Sequence, residues 1–143
     1  MYSRERYNKG GSLVELALLL PLLVLILAGV VDLGRAFHDY IIINNASREG
    51  ARFASHWPND ELGIKETARD EAVGTGVSIS TTLVTVNCPV DCSDEVTTSG
   101  KPITVTVQFP FQIILGRILG VNTITMTSHT SMVVFGYDNV GTE

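Results

Sequence analysis

The chain has 143 residues, a formal net charge of −5 and a pI near 5.1, with 45% apolar residues. That length fits one domain plus a membrane segment. An acidic chain without a basic cluster beyond its first ten residues gives no electrostatic basis for binding nucleic acid. The apolar residues are unevenly spread. A dense block runs from Leu13 to Val31, and the remainder is rich in Ser, Thr, Gly and Asn.

Leu13–Val31 is 19 residues long, interrupted by Glu15, Pro21 and Gly29. As a helix it spans about 28 Å, close to the roughly 30 Å hydrocarbon core of a bilayer. It exceeds the apolar core of a secretory signal peptide, and no Ala-x-Ala cleavage site follows. It reads as a retained transmembrane helix, with residues 1–10 as a basic leader, 11–31 as the membrane segment and 32–143 as an exported domain. The leader carries Arg4, Arg6 and Lys9 against Glu5, whereas residues 32–143 carry seven Lys/Arg against thirteen Asp/Glu. Basic flanks stay in the cytoplasm. The expected topology is therefore a single pass with the N-terminus inside and everything after Val31 exported. Pro21 is expected to kink the helix or melt a turn of it.

Glu15 stands near the edge of this span. A carboxylate there either sits at the headgroup boundary at little cost or pairs with a specific positive charge. Its surroundings, Lys9-Gly10-Gly11-Ser12-Leu13-Val14-Glu15-Leu16-Ala17-Leu18-Leu19-Leu20-Pro21, form a basic leader, Gly, four residues, Glu and an apolar helix. This arrangement resembles the prepilin-peptidase site of type IV pilin-like proteins. The resemblance implies cleavage between Gly10 and Gly11, and pairing of Glu15 with the new N-terminal amine of a neighbouring subunit. A buried carboxylate and ammonium in register offset each other's desolvation.

The elements downstream sharpen the likeness. Glu15, Ala17, Leu18 and Pro21, then Asp32-Leu33-Gly34-Arg35-Ala36-Phe37, then Asn45-Ala46-Ser47-Arg48-Glu49-Gly50-Ala51-Arg52-Phe53-Ala54 are similar to TadE-like proteins, minor pseudopilins of tight-adherence pilus systems. The resemblance covers residues 10–54. It implies a structural subunit whose partners are the membrane, a prepilin peptidase and other pilus subunits, with no cofactor. The alternative is an uncleaved, membrane-anchored scaffold or adhesin domain, in which Glu15 has no pairing role.

Helical periodicity continues past the membrane to about Ser55. Ile42, Ile43, Ala46, Ser47, Gly50, Ala51, Phe53 and Ala54 share one face, opposite Asn44, Asn45, Arg48, Glu49, Arg52 and Ser55. Glu49 and Arg52 are spaced to pair. Asp32, Arg35 and Asp39 form a charge row that reads as a solvated, salt-linked surface or a contact with a neighbour. Trp57-Pro58-Asn59-Asp60 breaks the helix. A second helix is predicted over 61–73, capped by Asp60 and stopped by Gly74.

Strands follow between about 77 and 135. Thr82–Asn87 is β-rich, Ile103, Val105, Val107 and Phe109 alternate with polar residues, and Ile124, Met126, Met132 and Val134 fall on one face of a third run. The predicted fold is α+β: one long helix packed on a three- or four-stranded antiparallel sheet, with Thr and Ser outward. Cys88 and Cys92 flank a short loop, and an oxidising compartment makes a disulfide between them the expectation. The three His, at 38, 56 and 129, are too scattered for a metal centre. Gly74-Thr75-Gly76 lacks the rest of a phosphate-binding fingerprint. No nucleophile–base arrangement points to an enzyme. The apolar run 110–120 is expected to be a short helix capping the sheet. Alternatively, Ile114, Leu115, Ile118 and Leu119 form a patch for a partner subunit or the membrane.

Overall fold

The computed structural model describes residues 9–88, 99–116 and 120–135, with side chains from Gly11 onward. Helix α1 runs from Lys9 to His56, 48 residues and about 72 Å. Helix α2 spans Glu61–Glu71. After a single 3-10 turn at Thr81–Leu83 come strands β1 (Val84–Asn87), β2 (Pro102–Gln112) and β3 (Thr123–Val133). The strands form one antiparallel sheet in the order β1-β2-β3. The α+β architecture expected from the sequence is present.

Helix α1 passes through Pro21 without a break, so no turn is melted there. Proline removes one ladder bond, and the intact turns on either side hold the helix together. The helix ends where Trp57-Pro58-Asn59 turns the chain. Asp60 then caps α2, its carboxylate accepting the Gly63 N–H at 2.9 Å. The second helix stops at Glu71, two residues short of the expected end. Gly74 and Gly76, with φ of +85° and +87°, follow in a turn that a Cβ would strain.

The second half of α1 lies across β2 and β3, and α2 lies beside it toward β1. The core is Ile42, Ile43, Ala46, Ala51 and Ala54 of α1, Ile64 and Ala68 of α2, and Ile103, Val105 and Val107 of β2, joined by Val84 and Val134. The buried face of α1 is the one the periodicity predicts, with one exception. Ser55, assigned to the polar face, is buried; its hydroxyl donates to the Arg52 carbonyl at 2.7 Å. Its carbonyl accepts the Phe135 N–H, which ties the chain after β3 to the end of the helix. Gly50 permits a close approach of α1 to both α2 and β2. A Cβ there would lie 3.1 Å from the Ala68 Cβ and 3.2 Å from Val105 Cγ1.

Two further expectations are corrected. The Ser and Thr residues of β3 do not all point outward: Ser128 is buried and Thr130 half-buried, both facing α1. Ser47 makes this possible. Its one proton serves the Asn44 carbonyl at 2.9 Å, so the hydroxyls of Ser128 (3.1 Å) and Thr130 (2.9 Å) donate to its oxygen. The sheet's other face is Thr-rich and exposed as expected. The second correction concerns 110–120. Pro110, Phe111 and Gln112 extend β2, pairing with Thr125, Ile124 and Thr123. The β1 pairing ends opposite Val107. Pro110 therefore has a strand on one side only, where a missing N–H is tolerated.

The Ser47 knot gives a stability prediction. Ser47→Ala removes the shared acceptor of two inward hydroxyls and should cost about 1–3 kcal/mol. Denaturant unfolding of the full chain in detergent micelles, followed by near-ultraviolet circular dichroism, measures it.

Candidate assembly and processing surface

From Leu13 to Leu27 every residue of α1 is exposed. Leu13 is 67% exposed, Leu20 53% and Leu27 57%. A core helix of a water-soluble domain would bury such residues. This helix is long and apolar enough to cross a membrane, and none of its most apolar stretch is covered by the rest of the chain.

Gly10 and Gly11 lie at the start of the described part of α1, Lys9–His56. Glu15 is exposed one turn further on, on the same helical face as Gly11. Residues 1–8 of the expected leader lie outside the described residues.

Past the membrane length the two sides of α1 differ. One side carries Leu33 (72% exposed), Phe37, Tyr40 and Ile41, an apolar stripe with helical spacing that no other element covers. The other side faces the sheet and the loop that joins β2 to β3.

That loop is fastened by Asp32. The sequence suggests that Asp32 belongs to a charge row that is solvated or meets a neighbour; the structure buries it within the chain. Its Oδ1 accepts the Ile114 N–H at 3.0 Å and its Oδ2 accepts the Leu115 N–H at 2.9 Å. Three turns separate Asp32 from Ile43, so the side chain is on the core face of the helix. Arg35 supports it, with Nη1 3.4 Å from Oδ1 and its guanidinium over the Phe111 ring. The Leu115 N–H, then the Ile114 N–H and the Arg35 charge, hold the Asp32 carboxyl below its usual pKa against an opposing contribution from burial. Asp39, the third member of the row, lies 3.2 Å from His38 Nδ1.

Of the expected patch, Ile114 is 54% exposed, and Leu115 is half-buried with a methyl 3.7 Å from where a Cβ on Gly29 would be. Ile118 and Leu119 lie outside the described residues. So does Cys92; Cys88, half-buried, packs against the edge of the core. The Arg48–Arg52 run is explained largely by packing. Gly50 and Ala51 sit against the core, while Glu49 pairs with Arg52, Nε to Oε2 at 2.9 Å.

Comparison with known proteins agrees with this division of the chain. Residues 10–52 match the family model described as TadE-like protein. No curated protein and no solved structure matches the chain. The matched segment is nearly all of α1, with α2 and the sheet outside it. The match supports a pilus-associated, membrane-anchored protein.

The Asp32 clamp predicts a local effect. In Asp32→Ala the Ile114 and Leu115 amides should exchange with solvent about tenfold faster or more, while Val105 and Val107 in the sheet keep their protection. In the native chain the clamp has a pH dependence of known sign. A lowered carboxyl pKa contributes stability that is complete above the unfolded value, roughly 3.9, and fades as pH falls through the lower folded value. Protection of these two amides, corrected for intrinsic exchange rates, should be flat at neutral pH and decline only in acid.

Proposed function

We propose that this chain is a minor pilin-like subunit, held in the inner membrane by α1 until it joins or primes a tight-adherence pilus. A prepilin peptidase cuts between Gly10 and Gly11. The N-terminus is cytoplasmic, and residues 32–143 are exported. The role is structural rather than catalytic.

One observation carries this reading. The uncovered apolar surface of α1 runs from Leu13 to Ile41, 29 residues and about 43 Å. That is longer than the roughly 30 Å a bilayer covers. The excess, at Leu33, Phe37, Tyr40 and Ile41, requires a protein neighbour, and the helix of another subunit has the matching length and chemistry. Glu15 then has a role. Cleavage creates an ammonium at Gly11, and a carboxylate near the start of an adjacent helix can neutralise it at one register only. An exported location supports a Cys88–Cys92 bridge, closing the short loop after β1.

Intact mass and N-terminal sequencing from the native membrane test the proposal. With the peptidase present the chain should begin at Gly11; without it, at its unprocessed start. A chain uncut in both cases would leave an anchored scaffold instead. Glu15→Ala should still be cut but should enter filaments about a hundredfold less or worse, since an ammonium buried without its partner costs about 3–5 kcal/mol. The bridge is checked in the same sample: neither cysteine should react with an alkylating agent before reduction.

A further inference from the structure

Beside Arg35 there is an open cleft of about 530 Å³, walled by α1, by the end of β2 and by the turn at Thr75 and Gly76. The cleft exists because β1 starts opposite Val107, which leaves the last part of β2 without a strand on that side. Its size is that of a small-ligand site, roughly 300–1,000 Å³. Two groups of opposite charge line it: Arg35 and, one turn further along α1, Asp39.

Both groups have capacity to spare. Arg35 makes its polar contacts through Nη1 alone, to Asp32 Oδ1 at 3.4 Å and to the Gln112 carbonyl at 3.5 Å. Its side chain is 45% exposed, and its Nε and Nη2 donors have no partner among the described residues. The Asp39 side chain is only 16% exposed. Its Oδ1 lies 3.2 Å from His38 Nδ1, while Oδ2 has no partner among the described residues. A largely covered carboxylate with an open oxygen carries a desolvation cost that a cation in the cleft offsets.

Height along α1 says where these groups stand. Arg35 is about 6 Å beyond Val31, the last residue of the apolar span, and Asp39 about 12 Å, with its side chain leaning back toward the span. The polar layer of a bilayer adds about 5–8 Å on each side of the hydrocarbon. The guanidinium is therefore level with lipid phosphates, and the carboxylate stands just outside them.

We propose that this cleft binds the headgroup of a phospholipid that carries a primary amine, a phosphoethanolamine zwitterion, with its phosphate on Arg35 and its ammonium on Asp39. The inference rests on the reading of α1 as a membrane anchor. Charge complementarity selects the occupant. The phosphate takes the spare guanidinium donors, and the ammonium donates to the open oxygen of Asp39. Asp32 does not compete for the ammonium, since both of its oxygens hold backbone amides. A glycerol headgroup brings an anion without a cation and leaves Asp39 facing a phosphate. A choline headgroup has no N–H to donate. The Phe111 ring, 5.4 Å from the centre of the guanidinium, supplies an apolar wall on the β2 side.

The test places the full chain in nanodiscs with equal parts of phosphatidylethanolamine, phosphatidylglycerol and phosphatidylcholine of the same acyl chains. Native mass spectrometry then reads which lipids stay bound once the discs are stripped. Phosphatidylethanolamine should be retained several-fold over each of the other two. Asp39→Asn should bring it down to the phosphatidylcholine level, and Arg35→Gln should lower retention of all three. Near-ultraviolet circular dichroism checks that the variants keep the fold, and the preference of the unsubstituted chain is a test without them. Equal retention of the three lipids would overturn the proposal and leave the cleft to a protein neighbour. A preference for phosphatidylglycerol that Asp39→Asn does not change would overturn it too, because the ammonium would then have no site. A chain that fails to float with vesicles in a density gradient would overturn the anchor, and the headgroup site with it.

Discussion

The structure depends on one unbroken helix that must satisfy two solvents. From Leu13 to Val31 its surroundings have to be apolar on every side, and from Ile42 to Ala54 only one face is apolar. Isolated helices in water gain most of their stability from packing. Here the second half is held by the sheet and α2, and the first half is held by whatever covers it. The helix is continuous across the transition, so the two environments are mechanically coupled. A force or a rotation applied to the first half is delivered to the domain.

The coupling is made at two heights. Near the membrane exit, the Asp32 carboxylate binds two amides of the β2–β3 loop. Four turns further on, Ser47 joins two hydroxyls of β3. Each is a polar contact in a largely apolar interface, where a group that loses its partner costs more than a good pair contributes. Apolar packing alone would allow the sheet to slide along α1, because Ala, Gly and Ile surfaces are forgiving. The two polar fastenings fix both the rotation and the translation of the sheet. Among the described residues no buried side-chain polar atom lacks a partner, which is the condition under which such fastenings define one arrangement.

Much of this was legible in the sequence. Periodicity gave the buried face of α1, the Trp57–Asp60 breaker gave its end, and strict alternation gave β2. What escaped were the side chains whose partners are distant in the chain. Asp32 sits three residues from Arg35, so local spacing pairs them, yet its main partners are amides 82 and 83 residues away. Its place on the same face as Ile43 was the available signal. Ser128 and Thr130 look like surface residues by type. Only the period-two register from Met126 to Val134 turns them inward, and only Ser47 makes that register affordable. Pro110 was read as a boundary because a proline in mid-sheet is excluded; β1 is short enough that the rule does not apply there.

The same geometry limits what can pack beside α1. The sheet and its loop occupy one face of α1, so a neighbouring helix beside its second half has only the stripe of Leu33, Phe37, Tyr40 and Ile41. That stripe is continuous with the bare apolar half, and a neighbour packed along both sees one uninterrupted surface. The domain is then directed away from the helix contact by construction. Exchanging lipid for a protein neighbour along this surface changes what covers the helix without disturbing Asp32, Ser47 or the core. Under the proposed function, anchoring and assembly would draw on the same apolar surface in turn, while the domain keeps a single structure throughout.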